Sequence, residues 1–433
     1  MKGGASGWRA STLWGLDPVA SLSAVDPLSW GSPPKRSLSG SALTLRPDHH
    51  RGGGDRVYVG IDAHKRECHA TVLNENGERL STARFPTNLG ALTAWAKTLP
   101  EGSVLALEAS TVAKRLYWHL KGLGLDVRIA HPLEVRRMAG SKKKTDAIDS
   151  FELADLLRMK RLPEAYVPPP ELNERRQLLR YRIDLGKKMR TIKCQVLARL
   201  DHNGVTTDLT DFFGVSGRVE MCRAIARLPT AQRYLLEGLL AQLDLLGKQI
   251  EEVEGQQAQL GVDDPAVQRR MSLAGVDIYS AQVILEEIGD ITRFPTEKHL
   301  SSYAGLVPRV MQSGNTLRTG RIHKQGPRAL RWILTTCAYA AVKAPGKFQR
   351  LFRRWEKRLG RGKAIVAVAH RMIEVIFALL ARNEAYSEER ADKTHAKIVR
   401  MRSRARALPP RDPAARLSGL GAAAQQVLRG SIG

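Results

Sequence analysis

The 433-residue sequence has few cysteines, few aromatic residues and too little negative charge to balance its positive charge. Its four cysteines, Cys68, Cys194, Cys222 and Cys337, lie far apart and form no C-x-x-C pair. This spacing argues against a zinc site and a disulfide framework, and it fits a reducing cytosol. The N-terminus has no continuous apolar segment, so we expect no secretory signal.

The charge balance is strongly positive, with 69 Lys and Arg against 43 Asp and Glu, a net charge of +26. Such a surplus indicates a polyanionic partner, with nucleic acid first and an acidic membrane surface second. No apolar stretch approaches the ~18 residues that a membrane-spanning helix needs. The basic residues are also spread along the whole chain. We therefore expect a nucleic-acid partner and no membrane.

The pattern of residues 55–167 predicts an α/β domain. Three strands joined by hairpins are followed by helix, strand, helix, strand and helix, the chain order of an RNase H-like fold. The predicted strands are 56–61, 67–74, 78–85, 103–107 and 126–130, and the predicted helices are 89–99, 111–122 and 146–160.

The remaining chain reads as mainly helical with basic ends. Residues 168–265 follow a proline run and contain two long helical stretches, 171 to about 200 and 218 to about 260, either a coiled coil or an ordinary bundle. Residues 266–385 include a helix, glycine turn and helix similar to a helix–hairpin–helix element, and a helix at 365–380. Residues 1–54 and 386–433 are predicted to be disordered basic tails. Two interpretations of residues 1–54 stay open: a basic arm, or an artefact of a start codon that was assigned too early.

Four acidic residues occupy matching points of the predicted α/β order. Asp62 and Glu108 each end a buried strand, and Asp146 and Asp149 lie three residues apart at the start of a helix, on one side of it. Taken singly, each has a structural explanation, such as a turn cap or a helix-dipole partner. Carboxylates brought together repel each other unless a cation neutralises them, and oxygen ligands suit Mg²⁺ or Mn²⁺. The combination predicts a metal site, whereas Asp155 reads as a solvated or ion-paired acid.

Several motifs together resemble one known family, the DEDD-type insertion-sequence transposases described as bridge-RNA-guided recombinases. The matching motifs are V-G-I-D-A-H-K at 59–65, L-A-L-E-A-S at 105–110, K-T-D-A-I-D-S at 144–150, Y-A-G-L-V-P at 303–308, S-G at 313–314 and G-R-I-H-K-Q-G-P-R-A-L-R at 320–331. The resemblance runs from about residue 56 to 380. It implies a RuvC-like N-terminal domain with Mg²⁺ (or Mn²⁺) on the four acids, a coiled-coil middle with dimer contacts and a C-terminal transposase domain.

The resemblance also implies that Ser313 is a nucleophile that forms a covalent phosphoserine intermediate with DNA. By itself, Ser313-Gly314 predicts only a turn, and a serine needs a base or a metal to react. Ser301 and Ser302 read as helix caps, and His323 as a phosphate donor or a plain loop residue. Nucleic-acid contacts are predicted for Lys142, Lys143, Lys144, Arg318, Arg321, Lys324 and Arg328, although the three lysines could equally form a solvated loop.

The function implied is a DNA transposase that acts on donor and target DNA with a structured noncoding guide RNA. Two alternatives stay open: a RuvC-type hydrolytic nuclease or Holliday-junction resolvase that uses only the acids, and a non-catalytic nucleic-acid-binding protein. We expect a homo-oligomer, a dimer or a tetramer, in the bacterial cytoplasm and associated with the nucleoid.

Overall fold

The computed structural model describes residues 56–138, 146–206, 208–209, 211–313, 316–322, 324–386 and 391–407, without the side chains of 146–147, 310–313, 316–319 and 407. Several predictions fall outside these residues. They concern the tail 1–54, Lys142, Lys143, Lys144, Gly314, His323 and the end of the chain from 408.

The N-terminal part is built on a five-stranded sheet with strand order β3-β2-β1-β4-β5. Strand β2 is antiparallel to both of its neighbours, β1 and β3, and β4 and β5 run parallel to β1. The strands are β1 Tyr58–Ala63, β2 Glu67–Leu73, β3 Arg79–Pro86, β4 Val104–Glu108 and β5 Asp126–Ala130. All five predicted strands are confirmed, with ends shifted by at most two residues.

Helices cover both faces of this sheet. Alternate residues of β1 and β4, such as Ile61 and Leu107, pack with Leu116 of α2 on one face. On the other face, Val104 and Ala106 pack with Leu153 of α4. The helices are α1 Leu89–Ala96, α2 Ala113–Gly122, α3 Pro132–Met138 and α4 Asp146–Arg158. Helix α3 was not predicted.

Helix α4 lies unusually close to β1. A Cβ added at Gly60 would overlap the carbonyl oxygen of Ser150 and lie 2.6 Å from the backbone nitrogen of Ala154. At the far end of α4, Arg158 donates a hydrogen bond to the carbonyl of Glu75, beyond the end of β2. Helix α4 therefore runs antiparallel to β1, and its first turn lies at the carboxyl end of that strand.

The middle part contains α5 Pro170–His202, α6 Val215–Ile225 and α7 Thr230–Gly261. The prediction of one helical stretch from 218 to about 260 was wrong, because Pro229 cannot continue a helix from the preceding turn and instead caps α7. Helices α5 and α7 are antiparallel, since Leu200 packs near Leu236 and Arg182 pairs with Glu254. Helix α7 also packs on α9 and α14, so its second half belongs to a larger bundle.

The C-terminal part is a helical bundle with one β-hairpin. Its elements are α8 Pro265–Arg270, α9 Ile278–Ile288, a 3-10 turn Ile291–Arg293, α10 Glu297–Tyr303, β6 Pro308–Ser313, β7 Thr316–Ile322, α11 Arg328–Ala341, α12 Lys347–Leu359, α13 Arg361–Arg382 and α14 Ala391–Ala407. The hairpin was not predicted. Between α8 and α9, Gly275 has a φ of +79° and faces the backbone of α11, so core packing explains this glycine. The helix–hairpin–helix assignment stays a prediction.

The predicted disorder of residues 386–433 was wrong for α14. Its Met401 is fully buried, and Lys397 Nζ donates to the carbonyl oxygens of Met271 and Val276 at 2.7 Å each. The apolar stripe of Ile398, Met401 and Ala405 has helical spacing. The basic composition of this segment led to the prediction of disorder, although the segment forms an amphipathic helix that packs on the bundle.

The expectation about long apolar stretches also needs correction. Helix α13 is long and apolar enough to cross a membrane by length and composition. Its residues Ile365, Met372 and Ile376 are buried in the core of the C-terminal bundle. A central core helix passes the same test, so this composition carries no membrane assignment.

We predict that Gly60→Ala destabilises the protein by about 1–3 kcal/mol, because the added methyl group meets helix backbone that cannot rotate away. The control is Gly238→Ala in α7, where a Cβ would meet nothing within 4 Å. Urea unfolding of both variants measures the difference. Equal midpoints for Gly60→Ala and wild type would contradict the close contact.

Candidate functional site

Asp62 and Glu108 lie side by side at one edge of the sheet. The parallel register pairs Ile61 with Leu107, which places the next residues, Asp62 and Glu108, opposite each other. Because side chains alternate along a strand, Asp62 shares the face of Gly60, the face covered by α4. The backbone therefore confirms the prediction that the strand ends carrying these two acids are neighbours.

The start of α4 is fixed over this edge by a buried hydrogen bond. Thr71 Oγ1 and Ser150 Oγ are 2.8 Å apart, and Thr71 pairs with Gly60 in the sheet. Asp146, the first residue of α4, precedes Ser150 by one helical turn. Asp149 is half-buried in the same turn. The second pair of predicted acids thus begins the helix that covers the first pair.

Asp62 is almost completely buried, at 7 % exposure, and contacts a histidine that the sequence analysis did not single out. The Nε2 atom of His64 is 3.2 Å from Asp62 Oδ2. A second histidine, His69 on β2, pairs with Asp62 across the sheet. The sequence signal for this contact was the D-A-H spacing within the 59–65 motif. It places the histidine two residues after the aspartate, just beyond the end of the strand.

Ser110 locks the ends of β1 and β4 together. Its hydroxyl donates to the carbonyl of Ala63 at 3.3 Å and accepts from the backbone N–H of Ala113 at 3.2 Å. One side chain therefore ties the residue after Asp62 to the loop after Glu108. This explains the serine of the L-A-L-E-A-S motif as a residue that holds the two acids in place.

The donor chemistry of this edge fits a divalent metal ion. Carboxylate oxygens are the ligands that Mg²⁺ prefers in proteins. Among the side chains that the structure describes, no group of three His, Cys, Asp or Glu residues is placed to hold an ion. The side chain of Asp146 is not among them. Asp62, Glu108 and Asp149 therefore do not form such a group by themselves, and a metal site that combines them with Asp146 stays a prediction.

Ser313 is the last residue of β6 and pairs with Thr316 across the hairpin turn. Arg321 near the end of β7 is exposed, and so are Lys324 and Arg328, which follow the strand. Burial, and to a smaller extent the nearby Arg328, lower the pKa of Arg331 at the start of α11. Of the predicted cations, Arg318 and Arg321 therefore lie within β7, and Lys324 and Arg328 follow it in the chain.

One described contact links the segment after the hairpin to the α/β domain. Gln325 Nε2 lies 3.5 Å from Glu134 Oε1 on α3, the helix that precedes the acidic helix α4 in the chain. This contact places Gln325, three residues after β7, beside α3. The joining of Ser313 with the four acids stays a prediction.

Three residues that the sequence analysis interpreted as structural can be compared with the structure. Asp155 is ion-paired with Arg158 at 2.6 Å, as one of its two interpretations predicted. The prediction that Ser301 and Ser302 cap a helix was wrong. They lie inside α10, whose N-cap is Thr296.

Comparisons with known proteins match both halves of this arrangement. Residues 59–203 match the family model of IS110-type DEDD transposases, described as Transposase, and residues 267–353 match that of the Transposase IS116/IS110/IS902 family. The first matched segment contains Asp62, Glu108 and the start of α4, which we call the acidic edge. The second contains the β6–β7 hairpin with Ser313, which we call the serine hairpin. The chain belongs to the IS110/IS116/IS902 family of insertion-sequence transposases.

Members of this family with similar sequences come from several bacteria. The transposase for insertion sequence element IS1111A of Coxiella burnetii is 25 % identical over 79 % of this chain and 95 % of its own length. The transposase for IS1328 of Yersinia enterocolitica is 26 % identical over 65 % of this chain and 82 % of its own. An uncharacterized 44.8 kDa protein of element IS116 from Streptomyces clavuligerus is 27 % identical over 75 % and 95 %.

We predict that Mn²⁺ raises the melting temperature of the wild type and not of Asp62→Asn, because an ion that binds only the folded state stabilises it by about 2.7 kcal/mol at a hundred times its Kd. Differential scanning fluorimetry with and without Mn²⁺ measures this shift. Asp155→Asn is the matched control, since it removes an ion-paired carboxylate from the same helix. An Mn²⁺ shift that persists in Asp62→Asn would show that the ion binds elsewhere.

Proposed function

We propose that this transposase cuts and rejoins DNA strands with two groups of residues, the acids of an RNase H-like (RuvC-like) domain and Ser313 of the C-terminal hairpin. The observation that carries the proposal is the placement of Asp62 beside Glu108 under the start of α4. The strand order, with three antiparallel strands followed by two parallel to the first, supports the RNase H-like assignment.

The carboxylates have one role that their position supports. Asp62, Glu108, Asp146 and Asp149 would hold Mg²⁺ (or Mn²⁺), which neutralises their charge and polarises the phosphate oxygens of bound DNA. The burial of Asp62 limits its motion, and the hydrogen bonds of Ser110 fix the two strand ends. The protein therefore presents its acids in a fixed arrangement to the scissile phosphate.

Ser313 supplies the nucleophile in this proposal. Its Oγ forms a bond to phosphorus while the bond from phosphorus to the 3′ oxygen breaks, and the proton lost by the serine ends on that oxygen. The 3′-hydroxyl of the partner strand then attacks the phosphoserine, the new phosphodiester forms and Oγ leaves with a proton. Bond count and charge are unchanged overall, so no external energy source is needed. Arg321, Lys324 and Arg328 would hold the phosphates during both steps.

The partners in this proposal are donor and target DNA, a structured noncoding guide RNA and further copies of this chain. Two duplexes and four strand cuts favour a dimer or tetramer on stoichiometry. A hydrolytic nuclease is the second candidate, because the acidic edge is assembled within the α/β domain alone. The two functions differ in whether Ser313 is required.

We expect wild-type protein, mixed with its flanking noncoding RNA, labelled donor and target DNA and Mg²⁺, to form a covalent protein–DNA adduct. Ser313→Ala should lose the adduct because the attacking oxygen is gone, and Asp62→Ala should lose it because the phosphate is no longer activated. A denaturing gel measures the adduct. DNA cleavage without an adduct, unchanged in Ser313→Ala, would replace the proposal with a hydrolytic nuclease.

We further expect Asp146→Ala to abolish strand exchange while DNA affinity stays within about twofold of wild type, because phosphate contacts with basic residues supply most of the binding energy. Gel-based recombination and fluorescence anisotropy measure the two properties on the same preparation. Wild-type recombination by Asp146→Ala would remove this residue from the site.

A further inference from the structure

Helix α12 and the start of α13 carry a dense row of positive charge outside the residues discussed so far. Residues 347–363 contain eight Lys and Arg and one acidic residue, Glu356. Seven of these cations are exposed. We define the α12 basic face as Arg353, Arg354, Lys357, Arg358, Arg361 and Lys363.

The opposite side of α12 is anchored in the core. Phe348 is buried at 2 % exposure, and Phe352 and Trp355 pack against the core of the C-terminal bundle. Residues three or four apart lie on the same side of a helix, so the cations Arg354, Lys357 and Arg358 point away from this apolar side. The α12 basic face is therefore held on a rigid element.

No interaction within the described part of the protein explains why the six cations of the α12 basic face lie together. Within the described residues, none of them forms an ion pair, whereas Arg218 pairs with Asp244 and Arg404 with Glu254. Keeping like charges together without acidic partners opposes folding. An anionic partner that binds this face would account for the arrangement.

The composition of the α12 basic face restricts the kind of partner. It has no aromatic side chain to stack on an unpaired base, as single-strand binding uses. It has no apolar side chain to enter a bilayer, as interfacial helices use. A second copy of this chain, with its net charge of +26, offers this face less negative charge than DNA does. Duplex DNA presents a continuous line of phosphates, about one charge per 1.7 Å of helix axis.

We propose that the α12 basic face binds the phosphate backbone of duplex DNA, as a contact surface separate from the acidic edge. This inference rests on the proposed function, because it takes DNA as the substrate of the protein. The two can fail separately. Asp62→Ala should lose strand exchange and keep duplex binding, whereas a change in the α12 basic face should weaken binding itself.

The test compares full-length wild type with Arg353→Gln/Arg354→Gln/Arg358→Gln on a labelled duplex of arbitrary sequence, by fluorescence anisotropy over a range of salt. Removing three phosphate contacts should reduce the slope of log K against log salt by nearly three, at about 0.9 per contact. The affinity near physiological salt should fall roughly tenfold or more. Thermal melting checks that the variant is folded.

The matched control is Arg223→Gln/Arg227→Gln/Arg233→Gln. It removes three exposed arginines that also lack a described ion pair, at α6 and the start of α7. The proposal predicts a much smaller change in slope for this control. Equal losses in the two variants would show that net charge alone matters and would overturn it. It would also be overturned if the α12 variant lost binding only to single-stranded RNA or to anionic phosphatidylserine vesicles and kept its duplex affinity.

Discussion

The close packing of α4 on β1 at Gly60 is the contact on which the candidate site depends. Only a residue without a side chain allows the helix backbone at Ser150 and Ala154 to approach the strand this closely. The Thr71–Ser150 hydrogen bond then fixes the helix along the sheet. Because α4 runs antiparallel to β1, this contact sets its acidic first turn at the strand end that carries Asp62.

A second set of interactions joins the α/β domain to the helical parts. Arg180 of α5 pairs through two hydrogen bonds, at 2.7 and 2.8 Å, with Glu287 of α9, whose side chain is buried. Arg176 donates to the carbonyl oxygens at the end of α9. At the other side of α5, Asn173 accepts a hydrogen bond from Lys114 of α2. Burial, with Arg180 and Arg176 nearby, lowers the pKa of Lys114. Helix α5 thus connects the α/β domain to the bundle that carries the serine hairpin.

The sequence predicted the parts of this arrangement whose signals are local. Alternating apolar residues defined the strands, and the strand ends placed Asp62 and Glu108. The break at Pro229, helix α14 and the β6–β7 hairpin were missed because composition or a continuous apolar pattern hid them. The contact between His64 and Asp62 depends on a chain reversal, and the register that aligns Asp62 with Glu108 depends on long-range pairing. The register is not encoded in one segment, whereas the D-A-H spacing of the 59–65 motif was a local signal for the histidine contact.

The most direct test of the metal site is anomalous X-ray diffraction from crystals of the full-length protein grown with Mn²⁺. The account predicts an anomalous peak at the carboxyl end of β1, within about 2.0–2.6 Å of oxygens from Asp62 and from at least one acid of α4, as hard cations require. A fully occupied peak elsewhere, with no ion beside Asp62, would contradict it.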